Sequence, residues 1–181
     1  MPNTRSYLFG KGDAVRVLGI DPGYATTGYA VVERRAGRLL PACYGVIRTP
    51  PGDSQAERLV FLHRALLDLI ADHRPEVMAL ERLFFNANVR TAMAVGQASG
   101  VALVSAGETG LEVHDYTPTE VKQSVTGTGG ASKQQVQAMV AALLDLDGPP
   151  KPADAADACA LAICHLNRSG LAAAVKRASV S

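Results

Sequence analysis

The chain has 181 residues, of which 48% are hydrophobic and 19% are charged. A chain of this size buries roughly two-thirds of the surface that its unfolded form exposes, so the composition favours one globular domain and excludes a disordered protein. The formal net charge is only +1, so bulk charge neither indicates nor excludes a nucleic-acid partner.

The first predicted elements are three β-strands. Residues 1–13 show no hydrophobic period and predict a flexible leader, followed by a single domain over residues 14–168. The apolar runs VRVLGID, TGYAVVE and LLPACYGVI are separated by turn residues at 21–24 and around Gly37. This pattern predicts an antiparallel meander.

Helices and strands then alternate. A capping box begins at Ser54, and apolar residues recur at helical spacing until Pro75 ends the helix. The run VMALE predicts a buried strand, a long helix of small residues follows over 89–106, and LEVHDY predicts the last strand. The whole order predicts an α/β protein with a five-stranded mixed sheet, an antiparallel meander plus parallel strands, flanked by helices.

Three further helices complete the domain. Capping boxes at Thr117 and Ser132 begin two of them. The last helix is predicted to begin after Pro152 and to end near Asn167, which leaves a flexible tail over residues 169–181.

Four acidic residues stand at the ends of these elements. Asp21 ends the first strand before a Pro-Gly turn, Glu81 ends the strand VMALE, and Asp154 and Asp157 open the last helix. The carboxyl ends of parallel strands meet at one edge of a sheet, so Asp21 and Glu81 are expected to be neighbours. Asp154 and Asp157 are three residues apart and therefore share one helix face.

Such a cluster favours a metal site. Two unit charges about 4 Å apart repel by roughly 4 kcal/mol at an effective dielectric of 20, and divalent cations remove this cost. Hard cations such as Mg²⁺ bind carboxylate oxygens, and a pair of them can hydrolyse a phosphodiester. Simpler interpretations stay open: Asp-Pro-Gly is ordinary turn chemistry, acids favour helix starts, and Glu81 could pair with Arg82 or Arg90.

Five segments, in chain order, resemble the RuvC family of Holliday-junction resolvases. They are LGIDPG at 18–23, TGYAVV at 27–32, LERLFFNANV at 80–89, EVKQSVTGTGGASKQQV at 120–136 and DAADACALAI at 154–163. The resemblance implies a ribonuclease-H-like fold and a homodimer that cuts four-way DNA junctions by paired nicks, with two Mg²⁺ or Mn²⁺ ions in each active site. It carries the catalytic metal-ligand roles onto four residues, Asp21, Glu81, Asp154 and Asp157.

The same resemblance marks residues that contact DNA. Phe84 would meet junction bases, and Lys122 and Lys133 would contact DNA phosphates, with Lys133 also counted in the active site. An aromatic ring in such a loop can stack on an unpaired base for about 1–3 kcal/mol, although Phe84 could instead fill the core. Apart from the resemblance, Tyr24, directly after the acidic turn, is either a DNA contact or a packing residue, and Arg90 is a further predicted DNA contact.

The partners follow from the same interpretation. A two-fold junction is most simply cut by a two-fold dimer, and Gly96 and Gly100 give the long helix a face that a partner or its own sheet can approach. A branch-migration helicase complex is implied by resemblance alone.

No secretory signal or apolar span of membrane length occurs, so we expect a cytoplasmic protein without a membrane partner. The alternatives are an RNA-processing nuclease of the same fold and a non-catalytic junction-binding protein.

Overall fold

The fold is a central five-stranded sheet covered by helices on both faces. The computed structural model describes the backbone of residues 15–82 and 89–178, and the side chains of residues 15–82 and 92–170. In chain order the elements are β1 (Val15–Asp21), β2 (Thr26–Arg35), β3 (Arg38–Arg48), α1 (Gln55–His73), β4 (Val77–Glu81), α2 (Val89–Thr109), β5 (Glu112–Tyr116), α3 (Pro118–Thr126), α4 (Lys133–Leu143) and α5 (Ala153–Ala178).

The sheet has the strand order β3-β2-β1-β4-β5. Strands β1, β2 and β3 pair antiparallel, as the two turn signals predicted, whereas β4 pairs parallel with β1 and β5 parallel with β4. The predicted mixed sheet is therefore confirmed. Its central strand is β1, which ends at Asp21, and the parallel neighbour β4 ends at Glu81 at the same edge.

Each face of the sheet has its own hydrophobic core. Helices α1 and α2 cover the face that carries Leu18, Ile20, Met78 and Leu80. Helices α3, α4 and α5 cover the opposite face, which carries Val17 and Ala79. Because side chains alternate along a strand, consecutive residues of β1 and β4 point into different cores.

Local sequence signals set most helix starts. The predicted capping boxes at Ser54, Thr117 and Ser132 are all formed, and each joins the side chain of the cap to the third helical residue. All three cysteines, Cys43, Cys159 and Cys164, are free. No helix in the described part of the chain is long and apolar enough to cross a membrane.

Helix ends were less well predicted. Helix α5 continues beyond Asn167, where the sequence predicted its end, as far as Ala178. The residues LAAAVKRA after Gly170 are mostly good helix formers, and they outweigh the Asn, Ser and Gly that suggested a stop. Helix α2 likewise extends to Thr109 and is followed by Gly110 at a φ of 73°. The division into a leader, a domain over 14–168 and a tail stays a prediction.

Helix α5 lies unusually close to the sheet. A Cβ atom added to Gly19 of β1 would lie 2.1 Å from the carbonyl oxygen of Ala158 and 2.9 Å from the amide nitrogen of Ala162. The helix supplies small buried residues on this side, among them Ala155, Ala158 and Ala162. Glycine on the strand and alanine on the helix therefore allow backbone to approach backbone.

Gly19→Ala should lower stability because its methyl group has no room unless α5 moves away from β1. Overpacking of this kind costs about 1–3 kcal/mol, which urea denaturation monitored by circular dichroism will measure. Gly148→Ala is the matched control, since nothing lies within 4 Å of an added Cβ there. Equal unfolding midpoints for the two variants would contradict the close packing.

Candidate metal centre

Two of the four predicted acids come from adjacent strands and point to the same side. Ile20 lies opposite Leu80 in the parallel pair, so Asp21 and Glu81 follow together at the ends of β1 and β4. Ile20 and Leu80 belong to the core beneath α1 and α2. By the alternation of side chains, Asp21 and Glu81 project to the other face, the one covered by α5.

The other two acids are delivered by the first turns of α5. Gly28 of β2 pairs with Asp21, and a Cβ added to Gly28 would lie 2.1 Å from the carbonyl oxygen of Asp154. The start of α5 is thus held against the strand beside Asp21. Asp154 and Asp157 are both partly exposed, and they lie one helical turn apart on the side that faces the end of β1.

The result is an acidic cluster at the sheet edge. Asp21, Asp154 and Asp157 each offer a carboxylate oxygen, and these oxygens all lie within 4.8 Å of one another. Glu81 lies outside this tight group of three, but it is close enough to affect the ionisation of Asp21. The folded chain brings together all four acids that the sequence singled out.

The cluster makes Asp21 hard to ionise. The pKa of its carboxyl group is raised from 3.8 to about 7, mainly by burial and further by repulsion from Glu81, Asp157 and Asp154. Burial and the charge of Asp157 also raise the pKa of Glu81. Lys133 opposes both shifts but does not cancel them. The cluster therefore carries repulsion that the described side chains leave uncompensated.

Lys133 lies directly beside the acids. Its Nζ atom donates a hydrogen bond to Oδ2 of Asp157 at 2.7 Å, and this bond is the main cause of its raised pKa. It is the first residue of α4, and its position follows from the Ser132 cap. The lysine predicted from the sequence is thus in contact with one of the acids.

The loop after Asp21 is held from two sides. On the inside, the buried Thr27 hydroxyl donates to the carbonyl of Gly23 at 2.8 Å. On the outside, the Thr49 hydroxyl donates to the carbonyl of Tyr24 at 2.9 Å, and the guanidinium of Arg58 lies 4.0 Å from the centre of the Tyr24 ring. Tyr24 therefore lies next to the acidic edge, half-buried, with an arginine on its ring.

Sequence reasoning did not identify Arg58 or Thr49. Arg58 directly follows the capping box of α1, where an arginine is usually a solvated surface residue. Thr49 lies in a loop without a recognisable motif. The usable signal was that the end of β3 and the start of α1 lie at the same edge of the sheet as Asp21, which follows from the antiparallel meander.

The described part of the structure does not connect the other predicted DNA contacts, Lys122, Phe84 and Arg90, to the acidic cluster. No hydrogen bond or ion pair among the described side chains joins the half-buried Lys122 to the acids. Phe84 and the side chain of Arg90 lie outside the described residues. Glu81 makes no ion pair with Arg82 in the part of the chain that is described, so that alternative for the glutamate finds no support.

The donor set fits a divalent cation. Every candidate ligand is a carboxylate oxygen, which is the ligand that hard cations prefer, and neither a cysteine nor a histidine belongs to the group. His165, on the same helix, is buried, and its Nδ1 atom lies 2.8 Å from the Tyr116 hydroxyl. Cations at the cluster would offset the repulsion that raises the pKa of Asp21.

Known proteins share both the sequence and the fold. The family model described as crossover junction endodeoxyribonuclease RuvC matches residues 17–165. The chain is 54% identical to the crossover junction endodeoxyribonuclease RuvC of Moorella thermoacetica, over 82% of this chain and 89% of the relative. It is 53% identical to that of Salinispora arenicola, over 91% of this chain and 97% of the relative.

A solved structure agrees with these relatives. The structure of Thermus thermophilus RuvC in complex with a Holliday junction substrate superimposes with a TM-score of 0.83 at 36% identity, covering 87% of this chain and 96% of the other. The sheet edge and its acids thus lie within a fold that both comparisons recognise. With a family model that spans most of its length and relatives more than 50% identical, this chain belongs to the RuvC family of crossover junction endodeoxyribonucleases.

Proposed function

We propose that this protein resolves four-way (Holliday) DNA junctions by paired symmetric nicks, in DNA recombination and repair. The observation that carries the proposal is the group of three aspartates, Asp21, Asp154 and Asp157, with carboxylate oxygens within 4.8 Å of one another. The cluster stands at the edge of a ribonuclease-H-like sheet in a member of the RuvC family. The activity is hydrolytic, because the family is described as an endodeoxyribonuclease and the proposed nucleophile is water activated at bound cations.

The four acids hold two divalent cations, Mg²⁺ or Mn²⁺. Asp21, which is central to the cluster, would be shared between the two ions, while Glu81 would support one and the pair Asp154 and Asp157 the other. Two bound cations supply an activated water and stabilise the leaving oxygen of the phosphodiester. The carboxylates fix the positions of the ions, and the strand ends and α5 fix the carboxylates.

Lys133 contacts both the site and the substrate. Its ammonium group, 2.7 Å from Asp157, reduces the net negative charge that an entering phosphate meets. Lys122, Tyr24, Phe84 and Arg90 are the other residues that we propose to contact DNA. Phe84 stacks on a junction base in this proposal, and the three others contact the sugar-phosphate backbone.

The active unit is a homodimer. Ala98, Ala102 and Ala106 of α2 are buried against the sheet core, whereas the described residues leave an apolar stripe on the far side of the helix largely uncovered. This α2 stripe consists of Met93, Gly100, Val104 and Gly107, at spacings of seven, four and three residues, which is a helix-packing pattern. Met93 is 62% and Val104 55% exposed.

The neighbouring helix widens this surface. Val60 of α1 is also exposed, at 46%, and it lies one turn before His63, whose Nδ1 atom is 2.9 Å from the Ser105 hydroxyl of α2. A two-fold partner seated on the two helices would cover these side chains and place one acidic cluster in each half of the dimer. That arrangement suits two symmetric cuts.

Two further parts of the proposal rest on the family alone. A branch-migration helicase complex is the proposed partner that delivers the junction. The proposed location is the cytoplasm, where the DNA substrate of such an enzyme lies in a bacterial cell.

Asp21→Asn should stabilise the metal-free protein at pH 8. In the folded protein Asp21 keeps its proton up to about pH 7, whereas the unfolded chain loses it near 3.8. The free energy of unfolding of the wild type therefore falls as the pH rises through this interval, and the asparagine variant lacks that fall. One pKa unit corresponds to about 1.4 kcal/mol, so we expect a gain of roughly 1–3 kcal/mol in urea denaturation with EDTA.

Two comparisons make this test specific. Asp147→Asn, at an exposed position, should leave the pH dependence unchanged. Added Mg²⁺ or Mn²⁺ should stabilise the wild type and have much less effect on Asp21→Asn. If Asp21→Asn is no more stable than the wild type at pH 8 without metal, ionised Asp21 does not destabilise the folded protein and the prediction is wrong.

The same variant should bind a junction and fail to cut it. A synthetic four-way junction incubated with wild-type protein and Mg²⁺ should receive paired nicks at symmetric positions, and none without divalent metal. Loss of the central ligand should slow cutting by at least about 100-fold while gel-shift affinity is retained, and Asp147→Asn should cut normally. Wild-type rates for purified Asp21→Asn would refute the mechanism. Preference for structured RNA, or binding without any cutting, would favour the two alternative functions.

Val104→Glu should convert the dimer into a monomer. A charge at the centre of the α2 stripe is costly to bury in an interface. Analytical ultracentrifugation at micromolar concentration measures the change, and paired nicks should disappear with it. Met139→Glu, at another exposed apolar position on α4, is the control and should remain dimeric. A wild type that sediments as a monomer contradicts the proposal.

A further inference from the structure

A second basic position lies at the acidic edge, on the opposite face of the sheet from Lys133. Arg58 stands in the first turns of α1, whereas Lys133 begins α4, and these two helices cover different faces. Arg58 reaches the loop that directly follows Asp21 through its contact with Tyr24. Positive groups thus approach the metal centre from both sides of the sheet.

The guanidinium of Arg58 is held in a defined orientation. Its Nε atom donates to the Thr49 hydroxyl at 2.9 Å, and Nη2 lies 3.4 Å from the carbonyl oxygen of Tyr24. The Tyr24 ring supports the plane of the guanidinium at 4.0 Å. A stacked and hydrogen-bonded arginine loses little further conformational entropy when it binds a ligand.

No acid in the described part of the chain forms an ion pair with this arginine. None of the ion pairs between described residues includes Arg58 or the exposed Arg48, which ends β3 directly before Thr49. An arginine presents five N–H donors, and the contacts to Thr49 and Tyr24 use two of them. Donors and charge therefore remain for a ligand that is anionic and rich in acceptors.

DNA requires such groups at this edge. The acidic cluster repels phosphates, so a strand that reaches the metal centre needs cations beside it. Lys133 supplies one on the α4 side, Arg58 supplies one on the face covered by α1, and Arg48 lies at the end of β3 at the same edge. Arginine binds phosphate through two parallel hydrogen bonds, which fixes a strand more firmly than a point charge does.

We propose that Arg58, stacked on Tyr24 on the sheet face opposite to Lys133, and Arg48, at the same edge where β3 ends, bind backbone phosphates of the strand that enters the metal centre. This inference rests on the proposed function, since it names a substrate contact of the same site. The two arginines bind and position the strand and take no part in the chemical step.

The test is the salt dependence of junction binding. Affinity for a synthetic four-way junction is measured without divalent metal between about 50 and 200 mM salt, where each lost phosphate contact reduces the slope of log affinity against log salt by about one. We expect that reduction for Arg58→Gln, with about tenfold weaker binding at the lower salt concentration, and the same reduction for Arg48→Gln. Arg58→Lys should keep the wild-type slope.

The control is Arg74→Gln. Arg74 is exposed at the other end of α1, so the same loss of charge there should leave the slope unchanged. Arg48 makes none of the bonds that hold the Tyr24 loop, so Arg48→Gln remains decisive even if Arg58→Gln folds poorly. Thermal melting of each variant identifies such a folding defect.

The outcomes separate a phosphate contact from a structural brace. If Arg58 only holds the loop, Arg58→Gln will alter the melting temperature or the cutting rate and keep the wild-type slope, and this result overturns the proposal. An unchanged slope for Arg48→Gln overturns its part in the same way. Cutting of the junction by the wild type with Mg²⁺ tests the proposed function separately, because a protein that binds without cutting can still show the two slope changes.

Discussion

The close contact between α5 and the centre of the sheet is the constraint on which the site depends. Gly19 and Gly28 leave room for the backbone of the helix at Ala158 and Asp154, where any larger residue would collide with a carbonyl oxygen. Only at this separation can acids from a helix and acids from two strands share one cluster. The glycines have no chemical role, yet they determine how far apart the carboxylates stand.

The cluster itself opposes folding. Burial and mutual repulsion raise the pKa of Asp21 to about 7, so ionising the group costs stability that the hydrophobic cores on the two faces must supply. Such a cost is typical of a binding site, where the missing favourable interaction comes from the ligand. Lys133 offsets part of the repulsion through Asp157, and the rest is available to favour cation binding.

Much of this arrangement could be predicted from the sequence. Two apolar runs that each end in an acid, with two meander strands and one crossover helix between them, were sufficient to predict that Asp21 and Glu81 lie at the same edge, and the strand pairing agrees. The capping boxes gave the starts of α1, α3 and α4, and therefore the location of Lys133. These features depend on local chemistry and on the handedness of crossovers, which a single sequence contains.

Other features depend on contacts between distant segments and were not predictable. Nothing in the sequence around Gly19 and Gly28 indicates that the backbone of α5 packs against these two strand positions. Arg58 acquires a special environment only because the end of β3 and the loop after Asp21 meet beside α1. The end of α5 was misjudged because Asn167 and Gly170 suggested a stop that the following alanines overcome.

The dual role of α5 affects how this protein tolerates genetic variation. The same helix fills one core with small residues, including Ala158, Cys159 and Ala162, and carries two of the acids. A substitution at one of these hidden positions that pushes the helix outward by a fraction of an ångström would separate the acid pairs even in a chain that still folds. Substitutions that abolish activity are therefore expected at the buried alanines and glycines between α5 and the sheet as well as at the acids themselves, and these buried positions should vary little among family members.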